Sequence, residues 1–309
     1  MHIFSTLSII AVSSILLLPS HGIVNHLPPD APSQIERQQA GLNRSISEEL
    51  GGVESFPYWD HVGKVGMGSG IYLGEGRVLT SAHVGCFPFQ MHDGSVYQPD
   101  YASWRLLKNA DGSKSDLAVF EVRFEKTSQL ARLGVLPFST SHAERPVLLV
   151  GTGYTQGAKP ISLGSQGRTL AVLGYHVQPQ RSIAWGLNRT SQKMDGPLAT
   201  GGTFFTRCFT TRFESHHFAG QAAEGDSGGA GFSYNRELNR WELSGCIIAV
   251  SQQQPNVTFG ARTYLGDLSS YATEIAGTEG AMTKNRTARP KTVPVSPATA
   301  HAARASVRG

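Results

Sequence analysis

Charge and cysteine are both scarce in this chain, and each shortage excludes something. Only 16% of its 309 residues are Asp, Glu, Lys or Arg, against 39% hydrophobic residues that include 14 Phe. Such a balance supplies a core and speaks against disorder throughout. The formal charge of +4 points to a polyanion partner only until it is located. Lys284, Arg286, Arg289, Lys291, Arg304 and Arg308 lie in a terminal segment without Asp or Glu, and the rest of the chain is net negative. A nucleic-acid partner for the folded part is therefore not expected. The three cysteines, Cys86, Cys208 and Cys246, cannot all pair with one another, and none stands in a CxxC or Cys/His spacing. That speaks against structural zinc, and no metal or cofactor is expected. One bridge stays open: Cys208 with Cys246 is the better pairing, and three free thiols are the alternative.

Long apolar runs are also missing, apart from one at the start. Residues 1–22 carry IFSTLSIIAVSSILLL followed by Pro19 and the small-residue stretch Ser20-His21-Gly22. This reads as a signal peptide cut after Gly22, although its start has no Lys or Arg. The run is short for a membrane-spanning helix. The expectation is a secreted protein, extracellular or periplasmic, with no membrane contact once the signal is removed.

What is present is glycine, 35 residues of it, between short apolar stretches. Residues 23–50 are polar, contain Pro28, Pro29 and Pro32, and read as a linker or pro-segment. From residue 51 to 277 the pattern is of strands. Ser69 to Leu73 and Arg77 to Ser81 flank Gly74-Glu75-Gly76 as a hairpin. Leu117 to Val122, Val147 to Val150, Thr169 to Gly174, Cys208 to Phe213, Ala230 to Tyr234 and Trp241 to Val250 are further strands. One short helix is predicted late, Leu268 to Ile275 capped by Asp267. Many strands and one terminal helix make an all-β sandwich or pair of barrels. Residues 278–309 read as a basic, disordered tail.

The chemistry concentrates in Glu224-Gly225-Asp226-Ser227-Gly228-Gly229. A serine between glycines suits a nucleophile on a tight turn, where backbone N–H groups approach a developing oxyanion. A general base and a carboxylate to orient it are also required. His83 ends the apolar run Val78 to Ala82, and Asp116 opens the run Leu117 to Phe120. The order His, Asp, Ser opposes an α/β-hydrolase, whose histidine follows the nucleophile. After Ser227 the only histidine is His301, in the tail.

The segments LTSAHV, SDLAVF and GDSGG resemble, in that order, the three motifs of the chymotrypsin-like (trypsin-family) serine endopeptidases. The resemblance covers about residues 51–277. It implies two six-stranded antiparallel Greek-key barrels, with the short C-terminal helix, and a monomeric enzyme acting on polypeptides. It implies His83 as general base, Asp116 as its orienting partner, Ser227 as nucleophile, and Gly225 and Ser227 as oxyanion-hole donors. Gln221, six residues before Ser227, would form the floor of the primary pocket; being neutral, it predicts no preference for Arg or Lys. Ser251 and Gln253 would belong to the strand that pairs with substrate, and Gly260 to a pocket wall. The family's cysteines beside the histidine and in the serine loop are absent, with Val84 and Ala223 in their places. The resemblance further implies that Asp226 pairs with a new α-ammonium group after processing, expected between Arg44 and Gly52. A catalytically silent, protease-like binding or scaffold protein is the alternative.

Overall fold

Glu75 and Gly76 both have positive φ, 55° and 85°, so the chain reverses within two residues between the strands Gly68–Gly74 and Arg77–Thr80. Paired positive φ matches the right-handed twist of flanking strands, and the hairpin stands where the sequence predicts it. The structure, a computed structural model, describes residues 23–25, 39–51, 53, 55–139, 145–165, 168–216, 218–252 and 255–276. The expected signal (1–22), the tail (278–309) and Gln253 lie outside these residues.

The architecture is all-β in two halves. In the first, seven antiparallel strands hydrogen-bond in the order Val96–Tyr97, Phe89–Gln90, Val62–Val65, Gly68–Gly74, Arg77–Thr80, Lys114–Val122 and Pro99–Lys108. The all-β fold is the expected one; its first half has seven strands, and among the described residues no ladder joins the two edge strands. They are separated along the chain by Gln98 alone, and Pro99 brings no N–H to such a ladder. The second half is a closed six-stranded barrel of Pro146–Gly151, Ala184–Lys193, Cys208–Arg212, Arg262–Asp267, Arg240–Val250 and Ala230–Asn235. One hydrophobic cluster runs through both, joining Leu79, Leu117 and Val119 to Leu148, Val150 and Ile248. The C-terminal turn begins at Leu268 as predicted, with the Asp267 side chain accepting from Ser269 N.

Two features depart from the sequence reading. Within the stretch read as a linker or pro-segment, residues 39–50 form a helix, Gln39–Leu50. Its Leu42, Ile46 and Leu50 recur every fourth residue and are buried against Phe56 and Trp59. Gly51, at φ 57°, ends it, and Arg236 donates to the Leu50 carbonyl. Upstream, Val24–Asn25 pairs antiparallel with Gly220–Gln221, and Ile23 and Val24 are fully buried. The second departure is that Cys86, Cys208 and Cys246 are all free thiols, so the Cys208–Cys246 bridge is not formed. Both residues pair with Gly266, from opposite sides of the strand Arg262–Asp267. That sets them two strand spacings apart, about 10 Å, beyond the reach of a disulfide. Burial pushes the Cys208 thiol up to about 12.

Candidate active site

The strand Arg77–Thr80 delivers the chain to a single turn of 3-10 helix, Ala82–Val84, that turns His83 out to solvent. Beside it Asp116, fully buried in the strand Lys114–Val122, receives the His83 backbone N–H at 3.0 Å on Oδ1. Its Oδ2 lies 2.8 Å from His83 Nδ1. With the Nδ1 proton directed at that carboxylate, Nε2 carries a lone pair and can accept a proton.

The other half of the molecule completes this arrangement. The hairpin Leu198–Thr200 and Phe204–Thr206 brings Thr200 Oγ1 to Asp116 Oδ2 at 2.9 Å, and Thr206 Oγ1 accepts the Asp116 N–H at 2.8 Å. Three donors thus converge on a buried acceptor-only group, which satisfies its desolvated oxygens. Neither threonine is among the residues expected from sequence; they lie 84 and 90 positions away and carry no motif.

Ser227 arrives on the loop between Gly220–Gln221 and Ala230–Asn235. Its carbonyl accepts the Ser69 N–H at 2.7 Å. Gly68 is wedged between that carbonyl and Val84, leaving no room for a Cβ, so the serine loop and the His83 turn face each other across one glycine. Both also converge on Ile247 O, which accepts Gly228 N and Ser81 Oγ at 2.7 Å each. Within the loop the N–H groups of Asp226, Gly228 and Gly229 are all used. Those of Gly225 and Ser227 have no acceptor among the described residues. The φ of 85° at Gly225 favours glycine in this turn. Two idle N–H groups beside a hydroxyl form a site for an oxyanion. Among the described residues Ser227 Oγ itself has no hydrogen-bond partner.

Beneath the loop Asp226 is fully buried, its Oδ1 accepting Gly153 N at 2.6 Å and its Oδ2 Ala223 N at 2.8 Å. A Cβ at Gly153 would strike the carboxylate, which accounts for a glycine there. Burial pushes the Asp226 carboxyl up to about 7, against the opposing pull of the two backbone N–H groups and of Arg181. Because an unfolded Asp ionises near 4, the folded chain holds the extra proton between about pH 4 and about pH 7. This group's contribution to stability is therefore complete below about pH 4 and is lost as pH rises through about 7. Asp226→Asn should flatten that slope, while being less stable at acidic pH because its NH2 faces a backbone N–H. Denaturant unfolding of both forms across this range checks it; equal slopes would refute the assignment.

A cleft of about 420 Å³ opens beside the serine, lined by Ala223, Glu224, Gly225, Ser227, Ile247, Ala249, Val250 and Gln252. Of the pocket residues expected from sequence, Gln221, Ser251 and Gly260 do not line this cleft. Gln221 is 1% exposed, does not line the cleft, and leaves both its amide atoms without a partner; its backbone pairs with Val24. Ser251 faces away, its Oγ accepting Arg262 N, and Gly260 packs beyond it with its N–H on Phe213 O. Gln253 falls outside the described residues. The wall is formed by Ile247, Ala249, Val250 and Gln252, at the end of the strand Arg240–Val250, which carries a register shift between Ile247 and Ala249. Among the described residues no three His, Cys, Asp or Glu side chains are grouped to hold a metal.

Neither a protein-family profile nor any curated protein matches the sequence. Among solved structures, the chain is similar to the HtrA-type protease AlgW with a decapeptide, at 16% identity and a TM-score of 0.41, over 69% of this chain. The match spans about half, 52%, of the AlgW chain. It is also similar to a mutant of human heparin binding protein (CAP37), at 12% identity and a TM-score of 0.47, covering 78% of this chain and 97% of that one.

Proposed function

We propose that the protein is an exported serine endopeptidase, a hydrolase of peptide bonds. The observation that carries the reading is the His83–Asp116 couple facing a Ser227 loop whose Gly225 and Ser227 N–H groups are idle. In the reaction His83 Nε2 takes the Ser227 hydroxyl proton as Oγ bonds to the substrate carbonyl carbon. The carbonyl oxygen, now an oxyanion, accepts the Gly225 and Ser227 N–H groups. His83 then gives its proton to the leaving amine, the C–N bond breaks, and an ester on Ser227 remains. Water, losing its proton to His83, hydrolyses that ester and restores the serine. Asp116 stays ionised and holds the imidazole in one tautomer throughout.

A serine-directed fluorophosphonate probe tests this reading. Labelling of the wild type and not of Ser227→Ala supports it. An unlabelled wild type supports the silent scaffold, for which the unpartnered Ser227 hydroxyl is the favouring observation. Catalytic hydrogen bonds that are open in a free enzyme tighten in the complex, so the probe decides where geometry does not. Thr200 gives a finer check. Thr200→Val removes one of three donors on Asp116 and should lower kcat several-fold to about tenfold, with KM little changed. Thr200→Ser should restore it; equal rates for Val and Ser would remove Thr200 from the positioning of Asp116.

A further inference from the structure

A second recess, of about 410 Å³, lies on the seam between the two halves, between the strand Val62–Val65, the loop after Gln90 and the segment Arg181 to Ile183. Lys64 stands directly opposite Ser69 on one neighbouring strand and Gln90 on the other, so the three side chains share a face of the sheet. Among the described residues Lys64 makes no hydrogen bond or ion pair. Burial, with the like charge of Arg181 added to it, holds the ammonium below its ordinary value. The other charges nearby are compensated. His92 pairs with Asp60 at 3.3 Å, and Asp226, fully buried, accepts two backbone N–H groups and acts on Arg181. Arg181 is committed to carbonyls, donating to Thr152 O, Gly66 O and Gly68 O. The recess thus presents, beside a guanidinium, an ammonium that makes no ion pair among the described residues.

Its place relative to Ser227 gives it a direction. The 420 Å³ cleft lies on the side of Glu224 and Ile247 to Gln252 and shares no lining residue with the recess. Arg181 Nε lies about 3.1 Å from where a Cβ on Gly225 would stand, and Ser69 Oγ donates to Gly225 O at 3.0 Å. Through Arg181 the recess is thus joined to the serine loop at Gly225 and to the carbonyls of Gly66 and Gly68, and Gly68 abuts Val84 of the His83 turn. A leaving amine departs on the histidine side, since His83 protonates it. We infer that the recess is a carboxylate subsite for the leaving-group portion of the substrate, selecting polypeptides with Asp or Glu shortly after the scissile bond. This rests on Ser227 and His83 acting as proposed above.

The test uses matched peptides carrying Glu or Gln at each of the first three positions after the cleaved bond. Binding is read by fluorescence anisotropy on full-length Ser227→Ala, and kcat/KM on the wild type. A partly screened charge contact predicts a preference for Glu of about fivefold to tenfold in Kd and kcat/KM, falling as salt rises. Lys64→Glu should reverse the preference. Lys126→Glu, the same change of charge at an exposed position without a partner, should leave it intact. Equal affinity for Glu and Gln peptides, or a preference that survives Lys64→Glu, overturns the proposal. So does binding of inorganic phosphate that depends on Lys64 without any discrimination between peptides. If the Glu peptides bind by way of Lys64 and the wild type cuts none of them, carboxylate binding at the recess stands, while the peptidase reading and the leaving-group role of the recess fall.

Discussion

Replacing Ser227 or His83 with alanine is expected to abolish turnover, with kcat falling by on the order of 10⁶ while the fold is retained. Each removes an indispensable half of one proton transfer, so the double variant should lose no more than either single one. Asp116→Asn should lose roughly 10⁴, and the hydrogen bonds give the reason. Oδ1 accepts the His83 N–H, while Oδ2 serves both His83 Nδ1 and Thr200 Oγ1. An amide that keeps its oxygen on the backbone N–H turns its NH2 toward Nδ1. The imidazole proton then moves to Nε2, which can no longer accept from Ser227. Steady-state kinetics on a peptide substrate, with circular dichroism to confirm folding, measures all four variants. Near-native cleavage by Ser227→Ala would sink the assignment of the nucleophile and with it the proposed function.

The parts of this site that sequence reveals are those built from local pattern. His83 closes one apolar run and Asp116 opens another, and the strands Arg77–Thr80 and Lys114–Val122 pair directly, bringing the two ends together. The glycines around Ser227 fix a turn in the same local way. Thr200 and Thr206 were not legible, because what matters about them is a hairpin packed across the seam between the halves. Pocket residues depend on loop length and on bulges, and neither leaves a mark in residue type. Gln221 shows the consequence: counting makes it the floor of the primary pocket, while its backbone pairs with Val24 and it does not line the cleft. The long hairpin of Tyr154–Ser165 and Arg168–Arg181 was only partly foreseen. Leu163, Leu170 and Leu173 on it are exposed, so at its far end apolar residues do not mark a buried face.

The helix Gln39–Leu50 carries the other large expected effect, because it bears on where the working protein begins. Sequence placed the processed amino terminus between Arg44 and Gly52, so that its ammonium could answer Asp226. A cut in that interval would fall inside or at the end of the helix. It would detach Ile23 and Val24 together with Leu42, and in its later part Ile46 and Leu50 as well, from the buried core. Each such side chain contributes about 1.5 to 3 kcal/mol by burial. Five of them approach the whole net stability of a domain, about 5 to 15 kcal/mol. Asp226, meanwhile, already accepts two backbone N–H groups and has Arg181 nearby. A chain starting at Val53 should therefore be unfolded or aggregated, whereas one starting at Ile23 keeps every buried residue of the segment and should fold and label with the serine probe. Thermal unfolding compares the two, and amino-terminal sequencing of the labelled protein shows which form is active. An active species beginning between residues 45 and 52 would show that the helix is dispensable and would restore the processing site read from the sequence.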